Sequence, residues 1–325
     1  MNENFPRLLG DVGGTNARWA WQPGADAPLQ DITVLPCAES VSLLDSVTRY
    51  LDSHGLGRPA AASIGVATAV TGDEIRFTNS SWAFSVAQLK QLLNVDQCIV
   101  INDFTALALS LPVLKARDLQ LLGGGTHAAN AAIGLVGPGT GFGVSGLVPN
   151  GRGDYVALSG EGGHVTLSPT DALESSVLEV LRGTFGHASA ERVLSGSGLV
   201  NLYKALCAVL GVAERDLTPH AVSELAIAKA DAQCIQTTQL FSSFLGNLAG
   251  NLALTLGAKG GVYVGGGVVP RLGTAFDRDV FRNQFEDKGR FRSYLKDIPC
   301  WLITAATPAL TGASRALDLP DYRSK

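Results

Sequence analysis

The sequence predicts an α/β fold of two lobes, each built on a mixed β-sheet. Three observations carry this reading. From Arg7 to Leu111 the pattern is three strands followed by alternating helices and strands, roughly βββαβ(β)αβα, the order of a mixed sheet with helices packed on its faces. Ala132–Pro149 then repeats the opening plan of apolar strand, glycine-threonine turn and apolar strand, IGLVGPGTGFGVSGLV against LLGDVGGTNARWAW, which suggests two related lobes. Finally, a chain of 325 residues that is 46% hydrophobic and 17% charged is long and apolar enough for two cores.

The elements follow in order. Leu8–Gly10, Ala17–Gln22 and Ile32–Cys37 are strands separated by glycine- and proline-bearing turns. Ser40 is read as the cap of a first helix whose apolar face is Val41, Leu44, Val47 and Leu51, with Gly55 closing it. Ala62–Ala67 reads as a buried strand, Ile75–Asn79 as a strand ending at a loop, Val86–Leu93 as a helix and Ile99–Ile101 as another buried strand. A glycine turn at Gly123–Gly125 precedes the repeat. The middle is helical over Ala172–Arg182, Ala188–Leu194, Gly198–Leu210 and Ala230–Leu256. A strand, Gly261–Val264, breaks into three glycines, and a strand Trp301–Ala305 and a helix Ala309–Leu317 finish the chain.

Composition excludes several classes of function. With 25 basic and 29 acidic residues the net charge is −4 and no basic run exists, so a nucleic-acid partner has no electrostatic footprint. The longest apolar stretch, Cys98–Leu114, carries Asn102 and Asp103 in its middle, which argues against a membrane span. Glu3 stands where an export signal needs basic residues. The five cysteines are widely separated, with no C-x-x-C pair, so neither a disulfide framework nor a cysteine zinc site is expected and a reducing cytoplasm fits. The 38 glycines, above the usual level of about 7%, call for a structural explanation.

Several of them stand in strings able to carry chemistry. In Gly10-Asp11-Val12-Gly13-Gly14-Thr15-Asn16, glycines between two strands let backbone N–H groups approach an anion, and the Thr hydroxyl adds a donor. A carboxylate beside phosphates is repulsive unless a cation lies between them, so Asp11 implies Mg²⁺, held mostly through water. A plain hairpin turn with a surface Asp is the alternative. Gly137-Pro138-Gly139-Thr140-Gly141 offers a second such turn, and Gly265-Gly266-Gly267 after a strand permits close approach of a flat ligand or of another backbone. Asn102-Asp103 ends the apolar strand CIVIND at a sheet edge, where Asp103 could act as general base; the alternative is a helix cap, a role that does not exclude catalysis. Gly160-Glu161-Gly162-Gly163-His164 presents two hydrogen-bonding side chains to a small polar ligand, with metal binding as the alternative. By spacing alone, Glu191 is a helix-surface acid.

Taken in series, the chain resembles the bacterial glucokinase family of the enterobacterial type, a branch of the hexokinase, actin and Hsp70 superfamily. The resemblance covers nearly the whole length and rests on LLGDVGGTNAR (8–18), FTNSSWAFS (77–85), INDFTALALSLP (101–112), GPGTGFGVSGLV (137–148), GEGGHV (160–165), SAERVLSGSGLVNLY (189–203), GNLALTLGAKGGVYVGGGVVPR (250–271) and FEDKGRF (285–291). It implies a two-lobed actin-like ATPase (ribonuclease H-like) fold whose lobes each open with three antiparallel strands. The small domain is expected to comprise residues 1–113 with 304–325 and the large one residues 114–303, with the active-site cleft between them.

The implied reaction transfers the γ-phosphoryl group of MgATP to the 6-hydroxyl of glucose. Asp103 is then similar to the family's catalytic base and Asn102 to a neighbouring sugar ligand. Glu161, His164 and Glu191 match the other hydroxyl-binding residues, and Asn79 falls in the sugar-side loop. Gly10, Asp11, Val12, Gly13, Gly14, Thr15 and Asn16 match the first phosphate loop, Gly139, Thr140 and Gly141 the second, and Gly265, Gly266 and Gly267 the adenosine segment. The resemblance further implies ATP and Mg²⁺ as cofactors, no structural zinc, glucose as partner, a cytoplasmic location and a homodimer. Two positions depart from the pattern: Ala69 and Ser197 stand where the family commonly has proline, at no proposed ligand.

Overall fold

The structure, a computed structural model, describes residues 4–77 and 81–323. In chain order its principal elements are β1 (Arg7–Val12), β2 (Asn16–Gln22), β3 (Gln30–Pro36), α1 (Leu43–Ser53), β4 (Ala61–Val66), β5 (Glu74–Arg76), β6 (Ala83–Ser85), α2 (Val86–Leu93), β7 (Gln97–Asn102) and α3 (Asp103–Ser110). There follow β8 (Leu119–Gly123), β9 (Ile133–Pro138), β10 (Phe142–Pro149), β11 (Tyr155–Ser159), α4 (Ala172–Phe185), α5 (Ala190–Val193), α6 (Gly196–Leu210), α7 (Pro219–Ile227) and α8 (Ala232–Leu256). The chain ends with β12 (Val262–Val264), α9 (Val268–Leu272), α10 (Arg278–Glu286), α11 (Arg292–Lys296), β13 (Cys300–Ile303), α12 (Pro308–Ala316) and α13 (Pro320–Arg323). It divides into two compact units, Met1–Leu114 with Ala305–Lys325, and Lys115–Thr304.

In the first unit the sheet order is β3-β2-β1-β4-β7. β1 pairs with β2 and β2 with β3 antiparallel, while β1, β4 and β7 run parallel. All six residues of β4 are buried, as expected of a strand covered on both faces. One face packs Leu8, Val12, Trp19 and Ile64 with Val47 and Tyr50 of α1. The other is covered by α3 and α12. The C-terminal segment is fastened here by Arg7, 1% exposed, which donates to the Ser314 carbonyl and hydroxyl at 3.2 Å and pairs with Asp318.

The second unit has the sheet order β11-β10-β9-β12-β13-β8, with β9, β12 and β13 parallel and β10 antiparallel to both β9 and β11. Its core joins Val136, Val262 and Val264 of the sheet to Phe241, Phe244 and Leu245 of α8. The mixed α/β class and the strands read from apolar runs are present, and several expected boundaries are corrected. The cap of α1 is Ser42, whose hydroxyl accepts from the Asp45 N–H at 3.1 Å, and not Ser40. Val41 therefore precedes the helix and is 89% exposed, and the buried stripe is Leu43, Val47 and Tyr50. The helix expected over Ala188–Leu194 is the single turn α5, and β8, β11, α7, α10 and α11 are additional elements.

Candidate active site

In the first unit the candidate residues gather at the C-terminal ends of the parallel strands, where open α/β sheets bind ligands. Register places Val12 beside Val66 and Val66 beside Asn102, so the Gly13–Thr15 turn and the start of α3 lie at one edge. Side chains alternate faces along a strand. Arg7 points to α12, and Leu9 and Asp11 therefore share the α12 side of the sheet. Gly65, the partner of Asp11 in β4, lies there too, since a Cβ on it would stand 3.4 Å from the Asp103 Cα and 3.2 Å from the Ala106 Cβ. Asp11 and Asp103 thus belong to the same face and edge of one sheet.

Of the two roles the sequence left open for Asp103, the cap belongs to Asn102. Asn102 Oδ1 accepts from the Phe104 N–H at 2.9 Å and the Thr105 N–H at 3.2 Å. Asp103 Oδ1 accepts from the Phe104 N–H at 2.9 Å and from Asn102 Nδ2 at 3.0 Å, while that same Nδ2 reaches the Thr68 carbonyl at 3.4 Å. Its carboxylate is thereby oriented within the first helical turn, where the helix dipole favours negative charge.

Asp11 carries a partner that motif reading passed over. Its Oδ2 accepts from Arg18 Nη1 at 3.2 Å; burial pushes the carboxyl pKa up, and the guanidinium opposes that shift. The signal was present in the hairpin spacing, because residues 11 and 18 stand opposite each other across the turn. The turn itself is braced by Gly13 N–H to the Asn16 carbonyl at 2.9 Å and by Cys37, whose N–H donates to the Thr15 carbonyl at 2.8 Å and whose thiol donates to the Gly13 carbonyl at 3.4 Å.

The glycines of this string divide by task. Gly10 is a packing residue, for a Cβ there would fall 2.6 Å from Trp19 Cζ3, and Val12 is fully buried in the core. At Gly13 a Cβ would meet nothing closer than the Asn16 carbonyl at 3.7 Å. The protein's own packing does not demand glycine at position 13, whereas close approach by an outside anion would. Thr15 is exposed, and Asn16 opens β2. Asn79, expected on the sugar side, lies outside the described residues.

In the second unit, three pieces meet at the start of β10. The Gly137–Gly141 turn is closed by Gly139 N–H to the Gly141 carbonyl at 2.8 Å, and Gly196, the first residue of α6, donates to the Gly139 carbonyl at 2.9 Å. Glu191 of α5 accepts the Phe142 N–H on Oε2 at 2.9 Å, and Gly141 makes room for it, since a Cβ at that position would be 2.4 Å from the same oxygen. The turn bearing Glu161 and His164 presses on the same stretch of β10. A Cβ on Gly163 would stand 2.0 Å from the Phe142 carbonyl, and one on Gly162 would be 2.6 Å from Val144 Cβ.

Backbone bonds then tie this turn to α5, from Ala190 N–H to the Val165 carbonyl at 2.9 Å and from Leu167 N–H to the Ala188 carbonyl at 3.0 Å. Glu161 and His164 are exposed and Glu191 is half-buried. Glu191, unremarkable by spacing, thus reaches the second glycine turn from the helix whose backbone is bonded to the segment following Glu161 and His164. The three glycines also reach this place. Gly265 N–H donates to the Val136 carbonyl at 2.8 Å, and Gly266, with φ +76°, lies so close to Pro138 that a Cβ would be 2.2 Å from its carbonyl oxygen. Thr140 is exposed beside them. Among the described residues, no group of three or more His, Cys, Asp or Glu is arranged to hold a metal ion, and no helix is long and apolar enough to cross a membrane.

Two units of mixed α/β structure, each with a glycine turn at a β-hairpin and acidic side chains beside it, define the class of two-domain sugar kinases. A crystal structure of glucokinase from an Antarctic psychrotroph is similar, with a TM-score of 0.87 and 35% identity over 96% of this chain and 98% of that one. The glucokinase family model matches residues 8–319, and the chain belongs to that family. Among characterised relatives, the glucokinase of Chromobacterium violaceum is 48% identical over 98% of this chain and 90% of its own length. That of Aromatoleum aromaticum is also 48% identical, over 98% of this chain and 96% of its own.

Proposed function

We propose that the protein is an ATP-dependent glucokinase with Asp103 as general base. The observation that carries the assignment is the position of Asp103, whose carboxylate is oriented by Phe104 N–H and Asn102 Nδ2 at the sheet edge beside the first glycine turn. In this reading the units are the two lobes of an actin-like, ribonuclease H-like fold. Asn102, Glu161, His164 and Glu191, with Asn79, bind the sugar hydroxyls. Asp103 takes the proton of the 6-hydroxyl as that oxygen attacks the γ-phosphorus and ADP departs. Phosphoryl transfer requires mainly positioning and charge stabilisation, which the two glycine turns would supply through backbone N–H donors other than those of Gly13 and Gly139, which close the turns themselves.

Asp11 is the residue that would hold Mg²⁺, through water, and the ion would neutralise phosphate charge. A single carboxylate at a phosphate turn fits an ion that keeps most of its hydration shell. Arg18 shares that carboxylate and holds it in place when no ion is bound. Gly265–Gly267 lie against the second turn and suit the adenosine end of the nucleotide. We further propose a homodimer in the cytoplasm, where the five cysteines, all buried and unpaired by disulfides, would remain thiols.

The test is a coupled assay of sugar phosphate formation with a panel of sugars and of donors including ATP, ADP and polyphosphate, with ADP release from ATP followed in parallel. Turnover with glucose and MgATP above that with other pairs is expected. ATP turnover indifferent to glucose would instead indicate an actin-like or chaperone-like ATPase, and background rates with every pair would indicate a silent sugar-binding regulator.

A further inference from the structure

Behind the sugar-side turn lies a buried polar network that the reaction scheme leaves without a task. α10 crosses α8 closely at two glycines one turn apart. A Cβ on Gly246 would stand 2.1 Å from the Phe281 carbonyl, and one on Gly250 would stand 2.5 Å from the Phe285 carbonyl and 3.1 Å from Lys288 Cε. Lys288, in the FEDKGRF string, passes this gap and donates its ammonium to Asn247 Oδ1. The Asn247 side chain, 4% exposed, is thereby fixed with its Nδ2 toward the Ser168 carbonyl, to which it donates at 2.9 Å. Beside it Glu174, 1% exposed, accepts from Ser243 Oγ at 2.5 Å and from the N–H and hydroxyl of Thr170 at 2.6 and 2.8 Å. Burial lowers the Lys288 pKa, while Asp287 and Glu174 oppose that shift.

Packing alone does not explain these choices. A buried amide and a half-buried ammonium are costly to desolvate, and apolar residues of like volume would fill the gap between α8 and α10 as well. What the polar groups add is direction, because Asn247 donates to the Ser168 carbonyl and Glu174, itself bonded to Ser243, accepts from Thr170. Ser168 and Thr170 continue from the turn that carries Glu161 and His164. Val165 and Leu167, between the two, are bonded to Ala190 and Ala188, next to Glu191.

We propose that Asn247, held in orientation by Lys288, is a positioning residue that sets the sugar-side turn through the Ser168 carbonyl, and so controls affinity for the sugar rather than for the nucleotide. The inference rests on the sugar role proposed above for Glu161, His164 and Glu191. Asn247→Asp is the discriminating variant. It keeps an oxygen to accept from Lys288 and the volume between the helices, but places a carboxylate oxygen against the Ser168 carbonyl in place of the Nδ2 donor.

Steady-state kinetics should show the glucose KM raised about tenfold or more with the ATP KM within about twofold of wild type, the pattern of lost ground-state binding to one substrate. Lys288→Met should move the glucose KM in the same direction. Glucose KM values near wild type in both variants, or sugar and nucleotide KM values rising together, would overturn the proposal, as would failure of both variants to fold, which would make the network purely structural. Wild-type protein without glucose-dependent turnover would remove the sugar role itself and this inference with it. Wild-type turnover with an unmoved glucose KM would remove the positioning role alone.

Discussion

A single oxygen of Glu191 ties α5 to the second glycine turn. Its Oε2 takes the Phe142 N–H, and Gly141 is the residue whose missing side chain allows the approach. Gly141→Ala must push that carboxylate away. With one charge-assisted hydrogen bond of about 1.5–3 kcal/mol lost, kcat/KM for glucose should fall by roughly 10- to 100-fold. Steady-state rates with varied glucose and ATP measure this, and an unchanged kcat/KM would detach Glu191 from the site. The local role of Glu191 could not be read from its spacing, since the contact spans 49 positions of sequence. Asp103 stood out in the sequence because it follows an apolar strand. Its division of labour with Asn102 did not, for both residue types cap helices equally well and only geometry assigns the cap.

At the scale of elements, the site depends on how α3 is seated. Gly65 lets it approach β4, and Gly312 of α12 comes so near that a Cβ would overlap the Ala106 carbonyl at 1.6 Å. Gly312→Ala should therefore destabilise the protein by about 3 kcal/mol, the upper end of overpacking costs. Urea denaturation measures that loss, and a midpoint within error of wild type would show that α12 has room to shift. Apolar runs found the central strands and α8, because burial on both faces leaves a continuous hydrophobic signature. They did not find α10, where Phe281 and Phe285 are the buried residues of a nine-residue polar helix, or β11, an edge strand in which Val156 and Leu158 remain exposed. In α1 the cap is Ser42 in place of the expected Ser40. Asp45 decides it, because its N–H donates to Ser42 and its carboxylate accepts the Val41 N–H at 3.1 Å.

For the whole molecule, the repeat of glycine turns in the sequence corresponds to two sheets that share five strands of like plan, β3-β2-β1-β4-β7 and β11-β10-β9-β12-β13, the second extended by the antiparallel edge strand β8. Each unit places a glycine turn and a set of acidic side chains at the edge of its sheet. The proposed reaction needs both sets, with the phosphate turns and Asp103 working on one sugar and one nucleotide. Asp103→Asn tests this most directly, because it keeps an oxygen for the Phe104 N–H and removes only the basic carboxylate. Glucose-dependent ADP release should fall by about 10² to 10⁴ in kcat, as for a lost general base, while calorimetry shows glucose binding largely retained. Near-normal turnover in that variant, or wild-type ATP turnover that ignores glucose, would contradict the account.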